Sequence, residues 1–378
     1  MLQRSYAAAL MTIAACRISD VAFTDTCDQG FPSAPSITSG ALPWAVVVAD
    51  VSGDGQLDVI VANSGANTVS VLLGNGDGTF RARTDYATGM TPYAVAVADV
   101  SGDHLPDLVV ANNGDDTVSI LLGNGAGAFV PSTFHPIGFH QPSSVALADV
   151  SADGTLDLVV ANNGGDGTVD VRLGNGDGTF AAAGTLYKTG MGTFALVVAD
   201  VTGDDVLDLV VSNAINNAGD NVSVLAGTGD GAFAAKVVYP TGTQPYQIAV
   251  ADATGDGQLD LIAANYGANT VSVLAGDGKG AFQPKVDVAT GTQPSSVAVA
   301  DVSGDHTPDL VVVNNGSGTA SVLVGNGDGT FQAKADVDVA SGSYRVAVAD
   351  LNDDGRADLV VANYGANSVS VLLAACRP

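Results

Sequence analysis

Short apolar runs alternate with polar, glycine-rich stretches along this chain, and the alternation repeats. The first full copy reads Val46-Val47-Val48-Ala49, then a loop from Asp50 to Asp58, then Val59-Ile60-Val61-Ala62 closed by Asn63. Runs this short and this uniformly apolar predict strands covered on both faces. The next stretch, 68–73, alternates, with Val69, Val71 and Leu73 set against Ser70 and Leu72. It ends at Gly74-Asn75-Gly76-Asp77-Gly78-Thr79, whose Asn-Gly and Asp-Gly pairs supply the positive φ of a tight hairpin. A fourth strand is predicted over 80–88. The four strands expected in this copy are therefore 45–49, 59–62, 68–73 and 80–88, and no window carries a comparable helical period.

Seven copies follow one another, led by Asp50, Asp99, Asp149, Asp200, Asp252, Asp301 and Asp350, at spacings of 49, 50, 51, 52, 49 and 49 residues. A period near 50 built from four short strands predicts an all-β fold, a seven-bladed β-propeller with one four-stranded sheet per repeat. The last copy stops short: after Val371-Leu372-Leu373 the sequence reads Ala374-Ala375-Cys376-Arg377-Pro378, with no turn and no fourth strand. The missing strand is expected at the other end. Phe31, Gly40 and Pro43 repeat the spacing of Phe80, Gly89 and Pro92, so residues 31–39 should complete blade seven and cover its exposed edge. Cys27 and Cys376 then both map to the turn position of Gly76. A Cys27–Cys376 disulfide is expected, two free thiols being the alternative.

Charge sharpens the picture. Aspartate and glutamate number 40 against 13 lysines and arginines, a formal charge of −27. So acidic a chain disfavours nucleic acid and anionic lipid and favours cations. The acid is placed regularly. All seven loops carry Asp at positions one, five and nine: Asp50/Asp54/Asp58, Asp99/Asp103/Asp107, Asp149/Asp153/Asp157, Asp200/Asp204/Asp208, Asp252/Asp256/Asp260, Asp301/Asp305/Asp309 and Asp350/Asp354/Asp358. Position three is always an oxygen donor: Ser52, Ser101, Ser151, Thr202, Thr254, Ser303 and Asn352. Position seven offers a backbone carbonyl from Gln56, Leu105, Thr155, Val206, Gln258, Thr307 and Arg356. Hard oxygen donors at alternate positions of a tight loop suit calcium, with up to seven ions expected and Mg²⁺ disfavoured by its reluctance to lose water. Gly55 permits the bend at position six, where His104, Asp205 and His306 make three loops weaker. The Gly-Asn-Gly-Asp-Gly-Thr motif is read as a hairpin turn only.

These loops resemble the FG-GAP and VCBS repeats of the integrin α-chain propeller and of exported bacterial proteins, over roughly residue 30 to the end. The Phe-Gly and Gly-Ala-Pro elements of the integrin form are replaced by Gly40…Pro43, Gly89…Pro92, Gly242…Pro245 and Gly291…Pro294. The resemblance implies calcium between strands one and two on one face, with ligand contact on the opposite face.

On that opposite face, six residues before each leading Asp, stand Trp44, Tyr93, Ser143, Phe194, Tyr246, Ser295 and Tyr344, and Tyr266 and Tyr364 follow the second strands. Five of those seven positions are aromatic in a chain that is 6% aromatic. They either pack on neighbouring blades or form a surface that stacks on sugars or grips a peptide. The expected function is a non-catalytic binding or adhesion module for an extracellular glycan or protein. A polysaccharide lyase or other carbohydrate-active enzyme on the same fold is the alternative, and a rigid spacer on the cell envelope a third. No catalytic set stands out. His135 and His140, in the one segment that breaks the pattern, are read as a surface loop.

Residues 1–16 read as an export signal, with Arg4 before the apolar stretch 5–15 and Cys16 in a lipobox-like Ile13-Ala14-Ala15-Cys16. Lipidation of Cys16 or ordinary cleavage nearby both remain open. The organisation expected is signal 1–16, linker 17–29 and propeller 30–378, exported to the cell surface or beyond, and monomeric.

Overall fold

Each repeat folds as one antiparallel sheet of four strands, and seven sheets stand around an axis as a β-propeller. The computed structural model describes residues 29–31, 36–136, 141–214 and 220–376. Blade one runs Pro43–Ala49, Asp58–Asn63, Thr68–Leu72 and Thr84–Ala87, from the axis outward. The six further inner strands are Pro92–Ala98, Pro142–Ala148, Thr193–Ala199, Pro245–Ala251, Pro294–Ala300 and Ser343–Ala349. Each packs on the next, and Ser343–Ala349 packs back on Pro43–Ala49, closing the ring.

The second strands are apolar throughout because both faces are covered. All six residues of each are buried, from Asp58–Asn63 in blade one to Asp358–Asn363 in blade seven. The cores lie between blades, with one apolar cluster at every interface. Between blades one and two, Ile60, Val69 and Val71 meet Val95, Leu108 and Leu121. Between seven and one, Ala347, Val360 and Val371 meet Val48, Val61 and Leu72. Truncating a side chain such as Leu108 to Ala leaves a hole in such an interface, at a cost of about 2–5 kcal/mol.

The N-terminal segment completes the last sheet as the repeat spacing required. Ser36–Thr38 pairs with Ser368–Leu372, Ile37 standing opposite Val369. Gln29–Gly30 pairs with Ala375–Cys376, so both ends of the chain meet at one blade. Cys27 and Cys16 lie outside the described residues, as do the signal and most of the linker.

Strand four differs from expectation. In blade one it spans Thr84–Ala87 rather than 80–88. Phe80 makes an isolated bridge to Gly74 and packs on the core between blades seven and one, Arg81 N still donates to Leu73 O, and the regular ladder begins only at Thr84. Blade two departs further: its outer strand, Phe129–Pro136, is eight residues long with an irregular register after Pro131. His135 therefore belongs to a strand, opposite Val118, rather than to a loop. His140 lies outside the described residues.

Candidate functional site

The inner strands run from one end of the axis to the other, which separates the two predicted sites. At one end lie the aspartate loops. The position-one carboxylate organises each loop: Asp50 Oδ1 accepts from the Ser52 and Gly53 amides at 3.2 and 2.7 Å, and Oδ2 from Gly55 at 2.9 Å. The other loops repeat this curl, for example Asp99 with Gly102, Asp103 and His104. Position six takes the left-handed conformation in glycine and non-glycine loops alike, at φ 84° for Gly55, 67° for His104 and His306 and 65° for Asp205. A non-glycine residue there costs about 1 kcal/mol.

The fifth aspartates depart from the converging ligand set that their spacing predicts. Asp54, Asp103, Asp153, Asp204, Asp256, Asp305 and Asp354 are all exposed. Each turns Oδ1 back on its own loop to accept from the position-seven amide. Asp54 takes Gln56 N at 2.9 Å, Asp204 takes Val206 N at 3.0 Å and Asp256 takes Gln258 N at 2.8 Å. Asp103, Asp153, Asp305 and Asp354 do the same with Leu105, Thr155, Thr307 and Arg356. The physical reason is the turn itself. An aspartate two residues before a free amide closes an Asx turn with it, which holds the carboxylate at the loop surface.

The ninth aspartate does something the sequence did not reveal. Asp58 is fully buried, with Oδ2 accepting from Val51 N and Ser52 N and Oδ1 from Gly74 N. It fastens the loop to the strand three–four turn of its own blade. Asp107, Asp157, Asp208, Asp260 and Asp309 make the same three bonds, to Gly123, Gly174, Gly227, Gly276 and Gly325 at the turns. Asp358 has two, from Leu351 and Ala374. Burial raises the pKa of all seven against these amides, and the neighbouring Asp50 and Asp54 add to the rise at Asp58. Asp358, with fewer amides and with Asp354 and Asp350 beside it, is pushed up to about 6, burial being the largest cause.

The hairpin motif is also more than a turn. Its third glycine donates to the position-two carbonyl of the preceding blade's loop: Gly127 to Val51, Gly178 to Val100, Gly231 to Val150, Gly280 to Val201, Gly329 to Ala253, and Gly78 to Leu351 across the closure. Loops and turns thus form a belt around the rim. Farther out, Tyr86, Tyr187 and Tyr239 set their rings edge-on against Phe129, Phe233 and Phe282 of the next blade.

The donor set fits a hard cation in chemistry. Position-three hydroxyls lie among the carboxylates: Ser52, Ser101, Thr202 and Ser303 stand 3.4 Å from their leading aspartates, and Ser101, Thr202 and Ser303 also turn toward the ninth. Ser151 Oγ and Thr254 Oγ1 are buried and face the ninth aspartates of their loops. Backbone amides occupy at most three of the roughly four lone-pair sites of each ninth carboxylate. Among the described residues, no three acidic, histidine or cysteine side chains converge closely enough to hold a metal as they stand. In the loops of Asp204 and Asp256, as in the other five, the exposed fifth carboxylate would have to swing inward from its Asx turn to meet the first and ninth around an ion.

At the other end of the axis the aromatics meet one another. Tyr93 and Tyr344 stack on either side of Trp44, with ring centroids 4.2 and 4.4 Å away. Phe194 stacks on Tyr246 at 4.4 Å, and Tyr246 on Tyr266 at 4.5 Å. Trp44 reaches Phe194 at 6.4 Å, and Tyr364 sits edge-on to Trp44 and Tyr344. All seven predicted aromatics therefore form one cluster over the channel mouth, packed less on blade cores than on each other. Trp44 and Phe194 are buried, and the five tyrosines keep partial exposure. Burial raises the pKa of Tyr93, Tyr246 and Tyr266, and takes Tyr344 to about 12. The two non-aromatic positions bridge blades instead: Ser143 Oγ donates to Thr193 O at 2.8 Å, and Ser295 Oγ to Ser343 O at 3.2 Å.

Around this cluster stands a ring of asparagines ending the second strands. Asn63 Nδ2 donates to Thr68 and Ser70, and Gly40 lies so close that a Cβ there would fall 2.5 Å from the Asn63 amide carbon. This close approach accounts for the Gly40, Gly89, Gly242 and Gly291 column. The amide oxygens of Asn63, Asn112, Asn162, Asn265 and Asn314 are buried without partners. Their blades begin with Pro43, Pro92, Pro142, Pro245 and Pro294, and proline offers no donor. The other two begin with Thr193 and Ser343, whose hydroxyls donate to Asn213 Oδ1 at 3.4 Å and Asn363 Oδ1 at 2.7 Å.

A family model described as the FG-GAP-like repeat matches residues 50–110, 99–160, 149–211, 213–263, 253–312 and 304–361. The chain belongs to the FG-GAP-like repeat family. Solved structures share the fold of this FG-GAP propeller. An Agrocybe aegerita lectin, described as recognising non-reducing terminal N-acetylglucosamine, is 22% identical, with a TM-score of 0.57 and 85% of each chain covered. A protein from Lactobacillus plantarum is 15% identical, with a TM-score of 0.62, 80% of this chain and 86% of that one covered. A functionally unknown protein from Desulfotomaculum acetoxidans is 14% identical, with a TM-score of 0.55 over 83% of this chain and 94% of that one. No curated protein matches the chain in sequence. Among the described residues no helix of this FG-GAP propeller is long and apolar enough to cross a membrane.

Proposed function

We propose that this FG-GAP propeller is a calcium-stabilised, non-catalytic binding module that takes a glycan at the aromatic end of its axis. The observation that carries the reading is the convergence of Trp44, Tyr93, Tyr246, Tyr266, Tyr344 and Tyr364 at one end, with the tyrosines partly exposed. Flat rings carrying hydroxyls complement the C–H faces and hydroxyls of a sugar. The lectin with the same fold lends this reading weight.

Calcium would be held by the carboxylates at positions one and five, the position-three oxygen and the position-seven carbonyl, with the ninth aspartate as a further ligand. The ion would supply positive charge to loops that each carry three carboxylates. Seven ions would move the formal charge from −27 to −13. The signal at 1–16 would deliver the module outside the cell, where calcium is plentiful, with Cys16 as the point of any lipid anchor.

A glycan array probed in calcium and in EGTA tests the reading. Calcium-dependent hits that vanish in Trp44→Ala support it. No hits, or new reducing ends and unsaturated products released from a polysaccharide panel, would contradict it, the latter in favour of a lyase.

A further inference from the structure

Beneath the aromatic cluster the channel holds a cavity of about 80 Å³ whose chemistry differs from everything around it. Apart from Tyr93, its polar lining comes from one column of the repeat, five residues before the leading aspartate. That column reads Ala45, Ala94, Ser144, Ala195, Gln247, Ser296 and Arg345. Six of its members, including all four polar ones, border the cavity, and no carboxylate does.

Arg345 is the anomaly. Among the described residues it makes no ion pair, and its Nη1 is buried without a hydrogen-bond partner. Across the axis its guanidinium lies 5.9 Å from the centroid of Phe194, a contact that offsets only part of the lost hydration. Arg345 is half-buried, and a guanidinium that leaves a buried nitrogen unpaired is unfavourable, while arginine cannot escape by releasing its proton at neutral pH. Burial lowers its pKa only to about 10. The neighbours are suited to completing a donor shell. Ser296 Oγ accepts from Val346 N at 3.3 Å, which leaves its own proton free to point elsewhere. Gln247 Nε2 spends one of its N–H donors on a long 3.5 Å contact with Ile248 O and keeps the other to offer, while its Oε1 is buried and unpartnered.

We propose that this axial cavity is a binding site for one small monovalent anion of chloride size, held by Arg345 with Gln247, Ser144 and Ser296. A water needs about 10–15 Å³ of such space, so the cavity has room for a halide together with several waters. Water alone could bridge Arg345 and Gln247 but would bring no countercharge. The aspartate loops do not veto an anion here. Arg345 stands five residues along an extended strand from Asp350, about 16 Å away and well beyond direct contact.

The test uses the full chain with calcium supplied as gluconate, so that chloride is a free variable. Thermal unfolding is compared in sodium gluconate, chloride, bromide and formate at one ionic strength, for the wild type, Arg345→Met and Arg345→Lys. Bromide-soaked crystals of the wild type are measured at the bromine edge. We expect halide to raise the wild-type Tm by roughly 2–5 °C over gluconate, with no such rise in Arg345→Met and a retained rise in Arg345→Lys. An anomalous peak is expected within contact of the guanidinium. A formate response that also needs the positive charge supports the same site. Absence of a bromide peak, or an equal halide response in wild type and Arg345→Met, overturns the proposal. The crystal arm stands even if both variants fail to fold.

Discussion

The two ends of the axis are built by opposite rules. At the aspartate end the blades act alike: each has a curled loop and a buried ninth aspartate, and in blades one to six a turn glycine bonds to the preceding blade. At the aromatic end the blades diverge. Blades three and six replace the ring with serine, and blade seven alone places an arginine in the channel. Uniformity suits a belt whose task is to hold seven sheets together, because each interface bears the same load. Recognition of a ligand without sevenfold symmetry needs groups that differ around the ring. The repeated acid is thus read as scaffold, and the irregular aromatic and polar column as the place to seek specificity.

The comparison can be broken at the aspartate end first. Chelation should lower Tm by more than about 10 °C if most loops hold an ion, read by differential scanning calorimetry in EGTA against calcium. Next, Asp208→Ala strands the Val201, Thr202 and Gly227 amides in a buried site. It should cost about 3–5 kcal/mol in urea unfolding with calcium present. By contrast Tyr364→Ala, at the rim of the aromatic cluster, should cost under about 2 kcal/mol while removing glycan binding.

The chelated protein should also respond to pH in a defined direction. The folded-state pKa of Asp358, at about 6, lies above its unfolded value, so the folded form holds its proton more tightly. The stability this contributes is complete below about pH 4 and is lost as pH rises to about 6, up to about 3 kcal/mol. Calorimetry of the EGTA-treated protein at pH 4.5 and 7 checks the sign, and added calcium should reverse it. The smallest expected effect sharpens the blade-to-blade comparison. Pro245→Ser offers Asn265 Oδ1 the donor that Ser343 gives Asn363, and should raise stability by about 0.5–1 kcal/mol.

The sequence displayed what repeats and concealed what happens once. Blade number, strand order and ring closure through Ser36–Thr38 were legible because seven copies share one spacing and the last copy visibly lacks a strand. The left-handed bend at His104, Asp205 and His306 was legible as an exception to glycine. The clasp made by the ninth aspartate was not, since a residue's type does not say whether its oxygens meet an ion or backbone amides. The outward Asx turns of Asp204, Asp256 and their equivalents were hidden in the same way. So were the inter-blade bonds of Gly78, Gly127 and their counterparts, which join neighbours in space about fifty residues apart. Arg345 was overlooked because it sits one place beyond a conspicuous aromatic column. Aligning the next column would have shown a lone cation among alanines and serines.

The claim beneath the whole account is that metal ions hold the aspartate rim. It is met most directly by equilibrium dialysis of chelator-stripped protein against a calcium series, with Tm recorded on the same samples. The account predicts uptake approaching seven ions per chain and a Tm that climbs in step. A chain that takes up no calcium and unfolds at one temperature with or without EGTA would contradict it.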